Sequence, residues 1–190
     1  MGGENKEMMV PLNKTFGLLT ALLVCTPVSA ERFVVDNDWF RLRISTPAPS
    51  ALAAFYEGRG FPKAMIEVLR KQCFINIGLL NKTNTIVWYD LSLWQFTTKE
   101  GPLTPYPRRY WQAQWQKLHI DARHQATFRW TLLPEQLDFR PTEAEAGNVV
   151  LPYTASPITI RGKLAVGDNK DKIIDFTFEE VTCGADATEQ

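Results

Sequence analysis

Most of the chain beyond residue 31 has the short-period hydrophobic pattern of β-strands. Phe40–Ile44 alternates apolar and basic residues, which is typical of a strand with one buried face. Apolar segments bounded by turn-forming residues predict seven further strands, at residues 73–80, 85–89, 91–98, 126–133, 149–151, 158–164 and 173–178. We expect a hairpin between the first two of these and another between the last two, with residues 135–148 forming a long loop.

Three segments have helical spacing instead. Residues 51–56 follow Ser50, a residue type that commonly caps helices, and residues 62–71 carry an apolar stripe on one face. In residues 110–118 the large apolar side chains also recur at helical spacing, which predicts a short amphipathic helix. Many short strands with few helices favour a mainly β fold. We expect an antiparallel β-sandwich, immunoglobulin-like by analogy, with a short helical insert.

Residues 1–30 differ from the rest and predict a cleavable signal peptide. Lys14 precedes the uncharged run Phe16–Val24, and Val28 and Ala30 supply the small residues that precede a cleavage site. The apolar run is far shorter than the roughly 20 residues that span a bilayer as a helix. We therefore expect cleavage after Ala30 and a periplasmic or secreted protein without a transmembrane segment.

Two features of this leader leave alternatives open. Cys25 permits a lipid anchor, although lipoprotein processing favours a small residue before the cysteine and Val24 stands there. A short membrane anchor that stays attached is a further alternative. The acidic residues before Met8 are unusual in a region that should be basic, and a start at Met8 or Met9 would remove them.

Cleavage would leave one sandwich domain at residues 31–184 and a disordered tail at 185–190. Of the 21 basic and 21 acidic residues of the chain, two of each lie in the leader, so the mature part has no net charge. Proteins that bind nucleic acids rely on a positive surface, and we expect no such partner. The sequence also lacks phosphate-binding glycine motifs and a Gly-x-Ser-x-Gly motif. We expect no cofactor, and binding rather than catalysis.

Cys73 and Cys183 are the two cysteines that remain after cleavage. Exported proteins meet an oxidising compartment, in which such a pair forms a disulfide. We expect a Cys73–Cys183 bridge that holds the last strand to the strand beginning at Cys73. A redox or metal role is the alternative, and the absence of a Cys-x-x-Cys motif disfavours it.

Several short motifs resemble those of an uncharacterised family of exported bacterial proteins. They are Ala54–Pro62, Cys73-Phe74, Trp130–Glu135, Arg140–Glu143 and Gly147-Asn148, within a stretch from about Phe55 to Leu151. The resemblance implies export and a shared architecture. It implies no activity and identifies no functional residue.

Candidate metal ligands are few. His119, Asp121 and His124 can supply three groups, but a metal site needs three or four ligands in fixed geometry, and we expect this segment to be a solvated loop. The acidic residues of 135–148 could serve calcium binding or glycoside hydrolysis, although they lack the spacing of an EF-hand. We therefore expect no metal site, with these three residues as weak candidates.

Tryptophans are the most suggestive residues for binding. Three lie in predicted strands and are expected in the core, namely Trp88, Trp94 and Trp130. Exposed aromatic and arginine side chains are enriched at protein interfaces. The candidate binding surface therefore consists of Arg108, Arg109, Tyr110, Trp111 and Trp115. The alternatives are stacking on sugar rings and a helix that packs over the sandwich.

Together these patterns favour an exported, non-catalytic binding or assembly module that contacts another envelope or secreted protein. A carbohydrate-binding module or carbohydrate-active enzyme is the first alternative, and a metal-binding periplasmic protein is the second. The sequence predicts no oligomeric state.

Overall fold

The computed structural model describes Gly2 and residues 32–186, so the predicted leader and residues 187–190 lie outside the described part. Its strands are β1 (Arg32–Asp36), β2 (Phe40–Ser45), β3 (Gln72–Asn81), β4 (Val87–Asp90), β5 (Gln95–Thr98), β6 (Gly101–Leu103), β7 (Gln136–Phe139), β8 (Ala144–Pro152), β9 (Ile158–Val166) and β10 (Lys172–Val181). Its helices are α1 (Pro49–Glu57), α2 (Lys63–Leu69), α3 (Arg108–Lys117) and α4 (Ala122–Thr131), with a 3-10 turn at Leu91–Leu93. Nowhere in residues 32–186 is a helix both long and apolar enough to cross a membrane.

The strands form two antiparallel sheets. The four-stranded sheet has the order β1-β2-β3-β8. In the six-stranded sheet β9 is central, because β10 pairs with one of its edges and β4 and β5 pair with successive parts of the other. β7 extends the sheet beyond β4, and β6 extends it beyond β5. The predicted class, a mainly β fold with sandwich-like antiparallel sheets, is confirmed.

The main hydrophobic core lies between the two sheets. Side chains alternate between the faces of a strand, and β2 turns Phe40, Leu42 and Ile44 inward, each at most 1% exposed. Phe176 of β10 enters the same core from the other sheet. Gly162 of β9 leaves room for its ring, because a Cβ at that position would lie 2.3 Å from the ring. Burial of this apolar surface is the main force that holds the sheets together.

A second hydrophobic cluster lies on the outer face of the four-stranded sheet. Phe74 of β3 and Val150 of β8 are opposite each other in the register, and both belong to this outer cluster. The helices cover them with buried side chains that include Tyr56, Met65 and Phe128. The described part therefore has three layers: the helices, the four-stranded sheet and the six-stranded sheet.

The predicted helices are confirmed, with differences at their ends. α1 begins at Pro49 and its N-cap is Ala48, so Ser50 lies inside the helix and does not cap it. α2 follows the extended Pro62 and ends at Leu69. α3 begins at Arg108, two residues before the predicted start. The helical layer also contains α4, which the hydrophobic pattern does not predict.

Three predictions about strands are wrong. β3 and β4 form no hairpin, because β3 pairs with β2 and β8 while β4 belongs to the other sheet. Residues 135–148 are not one loop, since they contain β7 and the start of β8. Residues 126–133 are mainly helical. The hairpin between β9 and β10 is confirmed, and Gly167 and Lys170 in its turn adopt positive φ.

The predicted disulfide between Cys73 and Cys183 is present, with Cα atoms 5.2 Å apart. Cys73 belongs to β3 and Cys183 follows β10, so the bond joins the two sheets. Beyond it, Asp186 Oδ1 accepts a hydrogen bond from Ser50 N at 2.8 Å. Hydrogen bonding to Ser50, first through its side chain and then through its backbone, lowers the pKa of Asp186. Asp186 thus has a defined contact within the segment 185–190 that the sequence predicts to be disordered.

Removal of the disulfide should destabilise the protein strongly. The bonded residues are 110 positions apart, and for such loops the chain-entropy model gives about 4–5 kcal/mol, with measured values often lower. We expect the double substitution Cys73→Ser and Cys183→Ser to lower the melting temperature by at least several degrees in thermal denaturation. In protein purified without reductant, both thiols should resist alkylation. Alkylation of either cysteine before reduction would contradict the bridge.

Candidate functional site

α3 and α4 form the part of the helical layer that carries the predicted binding residues. Pro107 precedes α3 with an extended backbone. The helix closes in a left-handed turn at His119, where φ is 52° and Ile120 N donates to Trp115 O at 3.0 Å. Asp121 then caps α4 by accepting a hydrogen bond from the backbone of the second helical residue at 2.9 Å. A short turn therefore places the two helices in contact.

Aromatic rings fill the interface between the two helices. Trp111 and Trp115 stack with their centroids 5.3 Å apart, and Phe128 of α4 meets them in T-shaped contacts at 5.1 and 5.3 Å. Both tryptophans are only 2% exposed. The prediction that these two rings form an exposed surface is therefore wrong. They pack α3 over the sheet, which is the alternative that helical spacing also allowed.

Residues 126–133 form the second half of α4 and the turn after it, not a core strand. Phe128, Trp130 and Leu132 alternate with polar residues, which is why the segment resembles a strand. Because Asp121 starts a helix upstream, Phe128 and Trp130 are separated by a rotation of about 200° around the helix axis and lie on nearly opposite faces. Phe128 is accordingly buried, while Trp130 is 81% exposed, so the expected core position of Trp130 is wrong. Trp94 is buried as predicted.

A groove of about 430 Å³ runs between α3 and α4. Exposed arginines line it from both helices: Arg108 and Arg109 from α3, and Arg129 from α4. The rings of Trp111 and Trp115 also line it, and the remaining lining residues are uncharged. The structure thus brings four of the five predicted surface residues to one groove, although the two tryptophans lie at its base and not on an open face. Tyr110 does not line this groove.

The positive charge of the groove is unpaired within the described part of the chain, because no ion pair there involves any of its three arginines. By contrast, Arg123 of α4, outside the groove, lies 3.8 Å from Asp121. Residues 108–131 hold one acidic residue, Asp121, against five basic ones: Arg108, Arg109, Lys117, Arg123 and Arg129. The helical pair is therefore a locally positive surface on a chain without net charge.

The first turn of α3 carries charge of the sign that a helix disfavours there. A helix N-terminus has partial positive charge and is stabilised by acidic side chains or by a side-chain cap. α3 instead begins with Arg108 and Arg109, has no acidic residue in its first turn and receives no side-chain cap from Pro107. The cost is about 0.3–1 kcal/mol for each charge, and an anion bound at this end would offset it.

Two buried hydrogen-bond donors beside the arginines lack acceptors. The Nε1 atoms of Trp111 and Trp115 are closed to solvent and have no hydrogen-bond partner among the described residues. A buried donor without an acceptor costs about 1–3 kcal/mol. Both rings line the groove, but their Nε1 atoms are closed to solvent, so an acceptor atom of a ligand reaches them only if the rings shift.

A second groove, of about 520 Å³, adjoins the first at Arg108 and Leu132, which line both. Its floor is largely apolar, and Asp90 and Glu135 add carboxylates to its lining. Tyr106 lines it as well and stacks on Tyr110 with ring centroids 4.1 Å apart. Partial burial raises the pKa of Tyr106, so its hydroxyl stays protonated at neutral pH. The two adjoining grooves thus differ in charge.

The C-terminal end of α4 is fixed to β8. Leu133 N donates to Asn148 O at 3.0 Å, and Asn148 Nδ2 donates to Thr131 O at 3.0 Å. Tyr56 Oη lies 3.0 Å from Thr131 Oγ1 and connects α1 to the same end, and burial raises the pKa of Tyr56 to about 12. Gly147 permits the close approach, because a Cβ there would lie 2.7 Å from Leu133 N.

The weak metal candidates lie in the turn between the helices and at the start of α4. His119 is exposed in the turn, Asp121 caps the helix, and the ring of His124 lies 5.6 Å from the ring of Phe61. Across residues 32–186, no group of three or more His, Cys, Asp or Glu side chains is placed to hold a metal ion. The segment with these three residues, expected to be a solvated loop, instead forms a tight turn and the start of α4.

Arg129 and Trp130 are site residues that the hydrophobic pattern does not reveal. The alternation of residues 126–133 favours a strand and hides them. The sequence does contain one signal for a helix here. Asp121 is a residue type that caps helices, and the ten residues after it include no glycine or proline. A helix at this position would have placed Arg129 beside the predicted arginines of α3.

Comparisons with known proteins add little. No family model matches the chain, and no curated protein matches it at a significant level. Among solved structures, the chain is similar to a provisionally assigned lipoprotein (ycdA) from Bacillus subtilis subsp. subtilis str. 168, with 9% identity and a TM-score of 0.37. The similarity covers 77% of this chain and 38% of that one. A TM-score this low carries no argument, so membership of a family of exported bacterial proteins stays a prediction.

The Gly147→Ala substitution should destabilise the attachment of α4 to the sheet. The new methyl group would overlap the backbone at Leu133, and overpacking of this kind typically costs about 1–3 kcal/mol. Gly78→Ala on the neighbouring strand is the control, since the nearest atom to its Cβ would be Ala146 Cβ at 4.0 Å. We expect urea denaturation to show a lower free energy of unfolding for Gly147→Ala alone. Equal stability of the two variants would contradict the close approach.

Proposed function

We propose that the protein is an exported, non-catalytic module that binds another envelope protein through the surface formed by α3 and α4. The observation that carries the proposal is the 81% exposed ring of Trp130 on the helix that forms one wall of an arginine-lined groove. Tryptophan and arginine are enriched among the residues that dominate binding energy at protein interfaces. An indole left in water also forgoes the burial energy that a partner surface would supply.

The position of Trp130 supports this proposal. Trp130 follows Arg129 along α4 and lies one helical turn after Ala126, which lines the groove. Trp130 does not line the groove itself, and its ring is exposed on the adjoining face of α4. A partner that covers both this face and the groove would bury the ring and exclude water from the neighbouring guanidinium groups, which strengthens their interactions.

The geometry favours a protein partner over a sugar. The carbohydrate alternative relied on Trp111 and Trp115 as exposed stacking surfaces, and both are buried. The second groove retains stacked tyrosines close to carboxylates, with Tyr106 and Tyr110 as the aromatic pair. A sugar would therefore bind in the second groove if the alternative were correct.

Trp130→Ala should weaken recovery of the partner by about tenfold or more, the loss expected for a central interface tryptophan. The measurement is crosslinking in intact cells, affinity purification from the envelope fraction and quantitative mass spectrometry. Ile173→Ala is the control, because Ile173 is 50% exposed on β10, in the sheet farther from the helical layer. Both variants should melt like the parent protein.

Recovery of no reproducible partner, or equal recovery with Trp130→Ala, would contradict the proposed interface. Binding of envelope polysaccharide fragments that survives Trp130→Ala and is lost in Tyr106→Ala would favour the carbohydrate alternative instead.

Export is the second part of the proposal, and it is supported by the predicted leader and by the disulfide, a bond typical of oxidising compartments. We expect the intact mass of the protein from the periplasm or medium to match a chain that begins at Glu31. A lipid-anchored protein would instead begin at Cys25 and carry the added mass of its acyl groups. Detection of the full-length chain in the cytoplasm alone would refute export.

A further inference from the structure

The chemistry of the α3–α4 groove matches a carboxylate. A guanidinium group presents N–H donors in a planar fork that pairs with the two oxygens of a carboxylate. Arg108, Arg109 and Arg129 offer three such groups along one groove, and the described part of the chain pairs none of them with an acid. An incoming carboxylate would therefore compete with no acidic partner among the described residues.

Two further features of the groove point to the same chemistry. The indole N–H groups of Trp111 and Trp115, whose rings line the groove, find no acceptor among the described residues. The first turn of α3 lacks both a side-chain cap and an acidic residue, which leaves its partial positive charge unopposed. A carboxylate bound at the arginines would offset the charge at the helix end, and the N–H groups would gain an acceptor if the rings turned toward it.

We propose that this groove binds the carboxylate of an acidic residue in the protein partner, and that an apolar stretch of the same segment lies in the second groove. This inference rests on the proposed function and names the chemistry that the interface recognises. Arg108 lines both grooves and marks the point at which the bound segment passes from one to the other.

The second groove argues against an extended polyanion as the ligand. Its lining includes Asp90 and Glu135, which would repel a second run of negative charge. Its apolar floor includes Leu133 and Val149, which suit aliphatic side chains. An acidic residue followed by apolar residues therefore fits the two grooves better than a nucleic acid or an anionic polymer does.

The direct test uses short acetylated and amidated peptides in which glutamate precedes leucine and valine, with matched peptides that carry glutamine or lysine in place of glutamate. The protein is purified from the periplasm with uniform 15N labelling. The glutamate peptide should shift the indole N–H resonances of Trp111 and Trp115, assigned through Trp→Phe variants. It should bind about tenfold or more tightly than the glutamine peptide, and its affinity should fall as salt rises.

Charge reversal gives a second readout. Arg129→Glu should abolish the preference for the glutamate peptide and favour the lysine peptide, because the sign of one wall of the groove is changed. Arg123→Glu is the matched control on the same helix, since Arg123 does not line the groove. It should leave the order of peptide affinities unchanged.

The outcomes separate this inference from the proposed function. Equal binding of all three peptides, or indole resonances that do not move when the glutamate peptide binds, would overturn the carboxylate site, while capture of a partner that depends on Trp130 would still support the interface. Inorganic phosphate that shifts the same indole resonances at concentrations at which the glutamate peptide does not would also overturn the inference, and would indicate a site for a free oxyanion.

Discussion

The pairing of β3 with β8 is the interaction on which the rest of the structure depends, because this strand pair is buried on both faces at residues 73–75 and 149–151. Ile75 and Val149 face each other within the sandwich core, and at the next position Phe74 and Val150 face each other beneath the helices. Successive residues of one strand thus serve two separate cores. Loss of the pairing would expose both cores together, so the sandwich and the helical layer are expected to unfold as one cooperative unit.

The candidate site follows from how α3 and α4 attach to this pair. Trp111, Trp115 and Phe128 bury the inner faces of the two helices and fix their spacing. Arginines at the edges of that aromatic cluster then become the walls of a groove. The hydrogen bonds of Asn148 hold the end of α4 to β8. The helices therefore present their charges from a packed, ordered base, which reduces the conformational entropy that a ligand must overcome.

The sequence predicts much of the scaffold and little of the site, for physical reasons that differ between elements. Period-two alternation identifies β2, β9 and β10, because each has one buried face, and the cysteine pair is predicted from export and composition alone. The same alternation wrongly predicts a strand where α4 lies, because Phe128, Trp130 and Leu132 are two positions apart. The segment is helical because Asp121 caps a helix there and Phe128 packs against α3. Burial of Trp111 and exposure of Trp130 follow from helix orientation, which composition does not determine.

The position of β9 has a consequence for how the chain becomes folded. β4 and β5 precede it by many residues, yet both pair with it, and β10 pairs with its other edge. Until residues 158–181 have been made, the larger sheet lacks its centre and the early strands keep free edges. A chain of this topology completes its fold late and through contacts distant in sequence, which slows folding. The proposed export, if it takes place in an unfolded state, is compatible with such an order of events.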